Sequence, residues 1–257
     1  MTVDWIYVIP HGDEIIDLPS AGSRTMNRMI TELAARDASD TIVTISPHGL
    51  SLPNSFSVVN TESFYAVTKL KTTTLRGIWK NDRAIAERIV SESGGLAEEA
   101  RFIAYSGRIS KFPMDFGTSI PLHFFRKKPI VMMGQTRNLD RQRLVEFGKM
   151  LYSVCEDNPK HIGILISADQ AHTHSEDGPY GYTEDAQKYE SIVKDSLKEG
   201  RMDRLLDIDD KIIKNAKPDS FWNMCALHGM LVASGRRAVF DFGYVEVYFG
   251  MMLAHTV

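Results

Sequence analysis

Asp40-Thr41-Ile42-Val43-Thr44-Ile45-Ser46-Pro47-His48-Gly49 is the stretch on which the reading of the whole chain turns. From Thr41 to Ile45 it is apolar and β-branched without polar alternation, which predicts a strand buried on both faces. Pro47, His48 and Gly49 then stop the strand and leave an imidazole at its carboxyl end, where open α/β sheets place their sites. The same phrase occurs earlier, where Trp5 to Ile9 runs into Pro10-His11-Gly12. Two histidines delivered alike from two strand ends can converge on one metal ion.

Outward from these two phrases, further strand-like runs cover Phe56 to Val59, Pro129 to Met133, Ile162 to Ser167, Ala238 to Phe242 and Val245 to Phe249. Helical patterns cover Ser20 to Arg36, Asn81 to Ser93, Leu139 to Glu156 (with Asn138 as its cap), Glu184 to Lys198 and Phe221 to Ala233. The alternation predicts an α/β, single-domain layered fold over residues 1–257, with a largely parallel or mixed central sheet flanked by helices. The final two strands, split by Gly243 and Tyr244, read as an antiparallel hairpin. Leu50 to Thr74 reads as a loop-rich excursion over the sheet.

Thirty basic against 33 acidic residues give a net charge of −3, which offers no electrostatic case for nucleic acid or an anionic membrane. No apolar run is long enough to span a bilayer. Cys155 and Cys225 are the only cysteines, so neither a disulfide framework nor a sulfur-rich zinc site is available, and a cytoplasmic protein is expected. The eight histidines are the more informative residues.

A third histidine cluster follows the apolar run Ile162 to Ile166. It reads Ser167-Ala168-Asp169-Gln170-Ala171-His172-Thr173-His174-Ser175-Glu176-Asp177-Gly178-Pro179-Tyr180-Gly181-Tyr182. Ionisable groups this dense between a buried strand and a helix start are hard to explain by packing. Ahead of the strand at Pro129 lies Phe112-Pro113-Met114-Asp115-Phe116-Gly117-Thr118-Ser119-Ile120-Pro121-Leu122, turn-rich with a carboxylate in its middle.

Taken in order, the first Pro-His-Gly, the Asp40 to Gly49 run, the Asp115 to Leu122 segment and the Ser167 to His172 block with Gly178 to Tyr182 resemble the class III extradiol ring-cleavage dioxygenases. These form the LigB-like superfamily, which also includes the Memo-like proteins. The resemblance implies that His11 and His48 are Fe(II) ligands and that His172 is the acid/base residue. It also implies a third, carboxylate ligand from the C-terminal third. Asp219, in Pro218-Asp219-Ser220-Phe221-Trp222, is the candidate and Glu246 its rival; Asp219 could equally cap the helix that starts near Phe221. Tyr180 and Tyr182 read as lining a substrate pocket, and His174 as contacting substrate. The implied reaction opens a small aromatic diol of the catechol type with O₂. Two neutral imidazoles and one carboxylate leave positions on Fe(II) for both reactants, and an imidazole titrating near about 6.5 suits proton transfer between them.

Two departures from the family pattern stand out. Phe116 occupies a position where many relatives carry histidine, and Asp169-Gln170-Ala171-His172 replaces the usual Asp-Leu-Ser-His. Asp115 and Asp169 read as fixing loops or orienting an imidazole. The alternative functions are a Memo-like metal- or peptide-binding or redox protein on the same fold, and a zinc-dependent hydrolase with zinc in place of iron. A homo-oligomer, dimer or larger, is expected.

Overall fold

In the computed structural model, which describes residues 1–102 and 110–257, the two Pro-His-Gly phrases follow β1 (Val3–Ile9) and β2 (Thr41–Ser46). Between these two strands lies β9 (Ile162–Ser167), and outside β2 lies β8 (Ile130–Gly134). The order β1-β9-β2-β8 is parallel throughout. Every residue of β2, β8 and β9 is buried, as uninterrupted apolar runs covered on both faces require.

The sheet is mixed at its flanks. β3 (Phe56–Asn60) pairs antiparallel to β8 and carries β6 (Ala97–Arg101) parallel at one edge. β11 (Phe249–Thr256) pairs antiparallel to β1, with β10 (Ala238–Glu246) at the other edge. A small second sheet joins β4 (Ser63–Lys69), β5 (Thr74–Lys80) and β7 (Lys111–Pro113).

Alternate residues of each central strand feed opposite cores, as the period of two dictates. Ile6, Val8, Val43, Ile45 and Ile164 point to one face, where α3 (Arg83–Glu92), α5 (Arg141–Glu156), α6 (Glu184–Glu199) and α8 (Phe221–Ser234) pack. Trp5, Tyr7, Ile9, Ile42 and Leu165 point to the other, against Met26 and Ile30 of α2 (Ala21–Ala34), Ile120 of α4 (Phe116–Leu122) and the small sheet. Ser20 and Ser23 form a reciprocal capping box that starts α2, satisfying donors at its first turn. Among the described residues no helix is long and apolar enough to cross a membrane.

Three local expectations are corrected. The hairpin turns at Val247 and Tyr248, with Val247 at φ 54°, and not at Gly243 and Tyr244. Gly243 instead pairs with Met252 inside the ladder, where an added Cβ would lie 3.0 Å from the Phe240 ring. Asp140, not Asn138, caps α5, accepting from the Arg143 N–H at 2.9 Å. The Leu50 to Thr74 excursion contains β4, whose outward Tyr65 and Val67 are as apolar as its inward Phe64 and Ala66, so no alternation marks it. Helices α1 (Glu14–Asp17), α4 and α7 (Asp210–Ala216) are too short to display a helical period.

Candidate metal centre

The four adjacent parallel strands release their chains at one edge of the sheet. Their register sets Ile9 beside Ser167, Ile45 beside Ile166 and Ser46 beside Gly134. His11 therefore emerges past β1, Asp169 and His172 past β9, His48 past β2, and Gln135 and Arg137 past β8. Strands two apart are separated by about 10 Å, so the side chains of His11 and His48 lean toward each other over the end of β9. Their Nε2 atoms stand 3.1 Å apart.

Asp219 reaches the same point from the loop between α7 and α8. It does not cap α8: the N-cap is Ser220, which makes no side-chain cap bond. Asp219 Oδ2 lies 3.0 Å from His11 Nε2 and 3.1 Å from His48 Nε2. Its Oδ1 accepts from the Ser220 hydroxyl, and its carbonyl accepts from the Gln135 side chain. Glu246 is held elsewhere, accepting from the Ser20 hydroxyl at 2.6 Å.

Neighbouring groups fix which imidazole nitrogens carry protons. The Ser167 hydroxyl donates to the Gly117 carbonyl at 2.6 Å and lies 2.8 Å from His11 Nδ1. With its one proton committed, Ser167 must accept from Nδ1–H, which turns the Nε2 lone pair of a neutral His11 toward Asp219 and His48. His172 Nδ1 lies 2.8 Å from the Gln170 carbonyl, which can only accept, so its Nε2 is the nitrogen open to exchange. The His172 ring stacks on Phe249 with centroids 5.6 Å apart. Asp169 accepts from the His11 backbone N–H at 2.9 Å, and its other oxygen is 3.5 Å from His11 Nε2. Asp115 caps α4 through the Thr118 N–H and accepts from the Ser46 hydroxyl at 2.6 Å, bracing the turn that bears His48. The Phe116 ring lies 4.2 Å from that of His48.

The electrostatics are those of a buried site short of one positive charge. Burial alone would lower the His11 pKa, but the carboxylates of Asp169 and Asp219 overcome it and raise the group to about 9. Burial likewise works to raise Asp219, yet His11 and His48 hold its carboxyl well below the usual carboxylate range. Asp169 is raised, by burial first and by Asp219 in addition.

This donor set fits a divalent cation. Three donors at mutual separations of 3.0 to 3.1 Å match cis positions of an octahedron, about 3.0 Å apart for bonds of about 2.1 Å. Tetrahedral ligands at that bond length stand about 3.4 Å apart. A second trio, Asp169, His172 and Asp219, gathers donor atoms within 4.8 Å beside the first.

Two recesses meet at this point. One, of about 410 Å³, is lined by Glu14, Thr68, Phe116, Tyr248 and Phe249 beside the histidines. The other, of about 500 Å³, is lined by Arg137, Lys214, Lys217, Tyr180 and Trp222 beside Asp219. Of the residues expected from sequence, His11, His48, Asp219, His172 and Tyr180 thus come together. His174 and Tyr182 do not line either recess. The His174 side chain is buried with Nε2 3.4 Å from Glu190, and Tyr182 lines a separate depression with Gln187 and Ile212. Sequence reading missed Ser167, Gln135, Arg137 and the placing of Asp169 against His11. The signal was their position at or just past the ends of strands β9 and β8.

The family model for the catalytic LigB subunit of aromatic ring-opening dioxygenases matches residues 7–250. A Clostridium acetobutylicum protein known by its locus name alone is 23% identical over 242 residues, covering 84% of this chain and 49% of that protein. The chain thus spans about half the length of the curated relative it matches. The crystal structure of an uncharacterized protein from Escherichia coli K12 aligns with a TM-score of 0.69 at 15% identity, covering 98% of each chain. Likeness at that identity speaks for the fold alone.

Proposed function

This chain belongs to the family of the catalytic LigB subunit of aromatic ring-opening dioxygenases, and we propose that it is a non-haem Fe(II) extradiol dioxygenase that opens a catechol-type ring with O₂. The observation that carries this reading is the compact trio of two imidazoles and one carboxylate, 3.0 to 3.1 Å apart, set between two recesses with a third imidazole beside it.

His11, His48 and Asp219 would hold the ion. A ferrous ion bound by three facial ligands supplies a centre at which a diol and dioxygen meet and exchange electrons. The remaining work falls to the protein. Ser167 keeps the His11 proton on Nδ1, so that Nε2 ligates. Gln135 and Ser220 hold Asp219 in its ligating orientation. His172, with Nδ1 tied to the Gln170 carbonyl, takes a proton from the diol at Nε2 and returns it when the ring opens. Phe249 and Tyr248 wall this imidazole on one side. Phe116 presents an apolar face where a histidine would otherwise donate.

The test is anaerobic reconstitution with Fe(II), followed by a panel of ortho-diols and then air. Oxygen uptake matched by a yellow ring-opened product is expected. A fully iron-loaded protein that consumes no oxygen with any diol would overturn the reading.

A further inference from the structure

Past the end of β9 stands a second set of acceptors that the first trio does not use. Asp169, His172 and Asp219 each bring one donor atom within 4.8 Å of the others. Ligands of a single ion, with bonds of about 2.1 Å, stand at most about 4.2 Å apart. Neither Asp169 nor His172 falls within the wider 4.8 Å reach of all three members of the first trio. One ion therefore cannot gather all five side chains in this arrangement. The two sets have only Asp219 in common.

Asp169 is the residue that points to a cation. Its side chain is 4% exposed. Oδ1 accepts the His11 backbone N–H at 2.9 Å. Oδ2 receives no hydrogen bond among the described residues, and its charge partner is His11 Nε2 at 3.5 Å. Ser167 holds the His11 proton on Nδ1, so a neutral His11 turns a lone pair, not a donor, toward that oxygen. A buried carboxylate oxygen without a partner is costly. His172 is prepared in the same way, since Nδ1–H is tied to the Gln170 carbonyl at 2.8 Å and Nε2 is left to ligate. The set thus offers two carboxylates and one imidazole nitrogen, the ligand types that suit a divalent transition ion.

We propose that Asp169, His172 and Asp219 form a second divalent-cation site, with Asp219 bridging two ions, and that filling it silences the first. Two ions that share a carboxylate lie about 3.5–4 Å apart. The silencing rests on the ring-opening reading, because the second ion takes the His172 nitrogen that moves the proton there. The site itself rests only on the donor geometry. The diol panel is accordingly read at one equivalent of iron.

The test is dialysis of the protein against graded Zn(II), with bound zinc counted by elemental analysis. The parent is expected to take two equivalents, the second more weakly because two dications repel. Asp169→Asn and His172→Phe should each keep one equivalent and lose the second, whereas Asp219→Asn should lose both. Loading with Mn(II) reports proximity: the paramagnetic resonance spectrum should pass from an isolated-ion pattern at one equivalent to an exchange-coupled pattern at two. A parent that saturates at one equivalent, a second equivalent that survives in both variants, or two uncoupled ions would each overturn the site. With Fe(II) and a diol, product formation should rise to one equivalent of iron and fall as the second binds, and the fall should vanish in Asp169→Asn. A rate that holds level from one equivalent to two would overturn the silencing. Two coupled ions in a protein that opens no diol at one equivalent of iron would uphold the site and strike the ring-opening reading instead.

Discussion

The Ser167 hydroxyl accepts from His11 Nδ1–H at 2.8 Å because its own proton is spent on the Gly117 carbonyl. A strand end thereby sets the tautomer of a residue delivered by its neighbour. Ser167→Ala removes the acceptor without touching the donor trio, leaving Nδ1–H buried and unpaired. Metal affinity is expected to fall about tenfold to a hundredfold, with the circular dichroism of the fold unchanged. Competition titration with a chelator checks this; an unaltered affinity would mean that Ser167 orients nothing.

Asp219 and Glu246 make a clean pair for comparison, since both are buried carboxylates in the C-terminal third. Asp219→Asn keeps the shape but removes the charge that faces two imidazoles, and bound metal should drop to a small fraction of an equivalent. Glu246→Gln should keep its metal, because the partner of that carboxylate is Ser20. Elemental analysis of both variants decides, and the reverse pattern would reassign the third ligand.

The paired Pro-His-Gly phrases made the central strands and their histidines readable because a fully buried parallel strand leaves an uninterrupted apolar run. His172 was readable for a similar reason, as ionisable residues crowd the exit of β9. What could not be read was lateral order. That β9 inserts between β1 and β2 is a fact of pairing, and it is this insertion that sets Ser167 under His11 and Asp169 beside it. Asp219 was ambiguous on local grounds, since an acidic residue ahead of a helix is an ordinary cap. Only the distance to His11 separates the two roles. Tyr182 read like Tyr180 in a polar run, but Gly181 at φ 72° turns the chain between them, and His174 is turned into the interior against Glu190.

His172 touches the proposed reaction without joining the first trio. His172→Phe preserves the ring stack on Phe249 and removes the exchangeable nitrogen. Iron content should stay near that of the parent while turnover falls about a hundredfold or more. His48→Ala should lose both. Equal loss of iron in the two variants would make His172 a ligand instead.

Gly148 of α5 and Gly229 of α8 let two helix backbones touch: an added Cβ would lie 1.9 Å from the Ala226 carbonyl oxygen in the first case and 2.0 Å from that of Val145 in the second. Helix propensity alone favours Gly148→Ala by about 1 kcal/mol. The contact is to backbone, which cannot swing aside, so overpacking wins. A net loss of about 1–3 kcal/mol in urea unfolding is expected. Neutral or raised stability would show that α5 and α8 can separate freely.

Asp37 provides the pH dependence. Its side chain is 2% exposed and lies 2.6 Å from Lys128 Nζ, with further bonds from Ser39 and the Trp5 indole. Burial opposes its ionisation, but these donors prevail and hold its pKa below the ordinary value. A carboxyl lowered in the folded state contributes its stability above the unfolded pKa of about 3.9, and loses it as pH falls through the folded value. Asp37→Asn leaves the Lys128 ammonium, 13% exposed, without its counter-charge, and should cost about 3 kcal/mol at pH 7. The gap between parent and variant should narrow as the pH drops below about 4, because protonation neutralises the same carboxylate in the parent. Urea midpoints compared across that range test the sign; a gap that stayed constant into acid would mean that the loss at neutral pH comes from packing and not from charge.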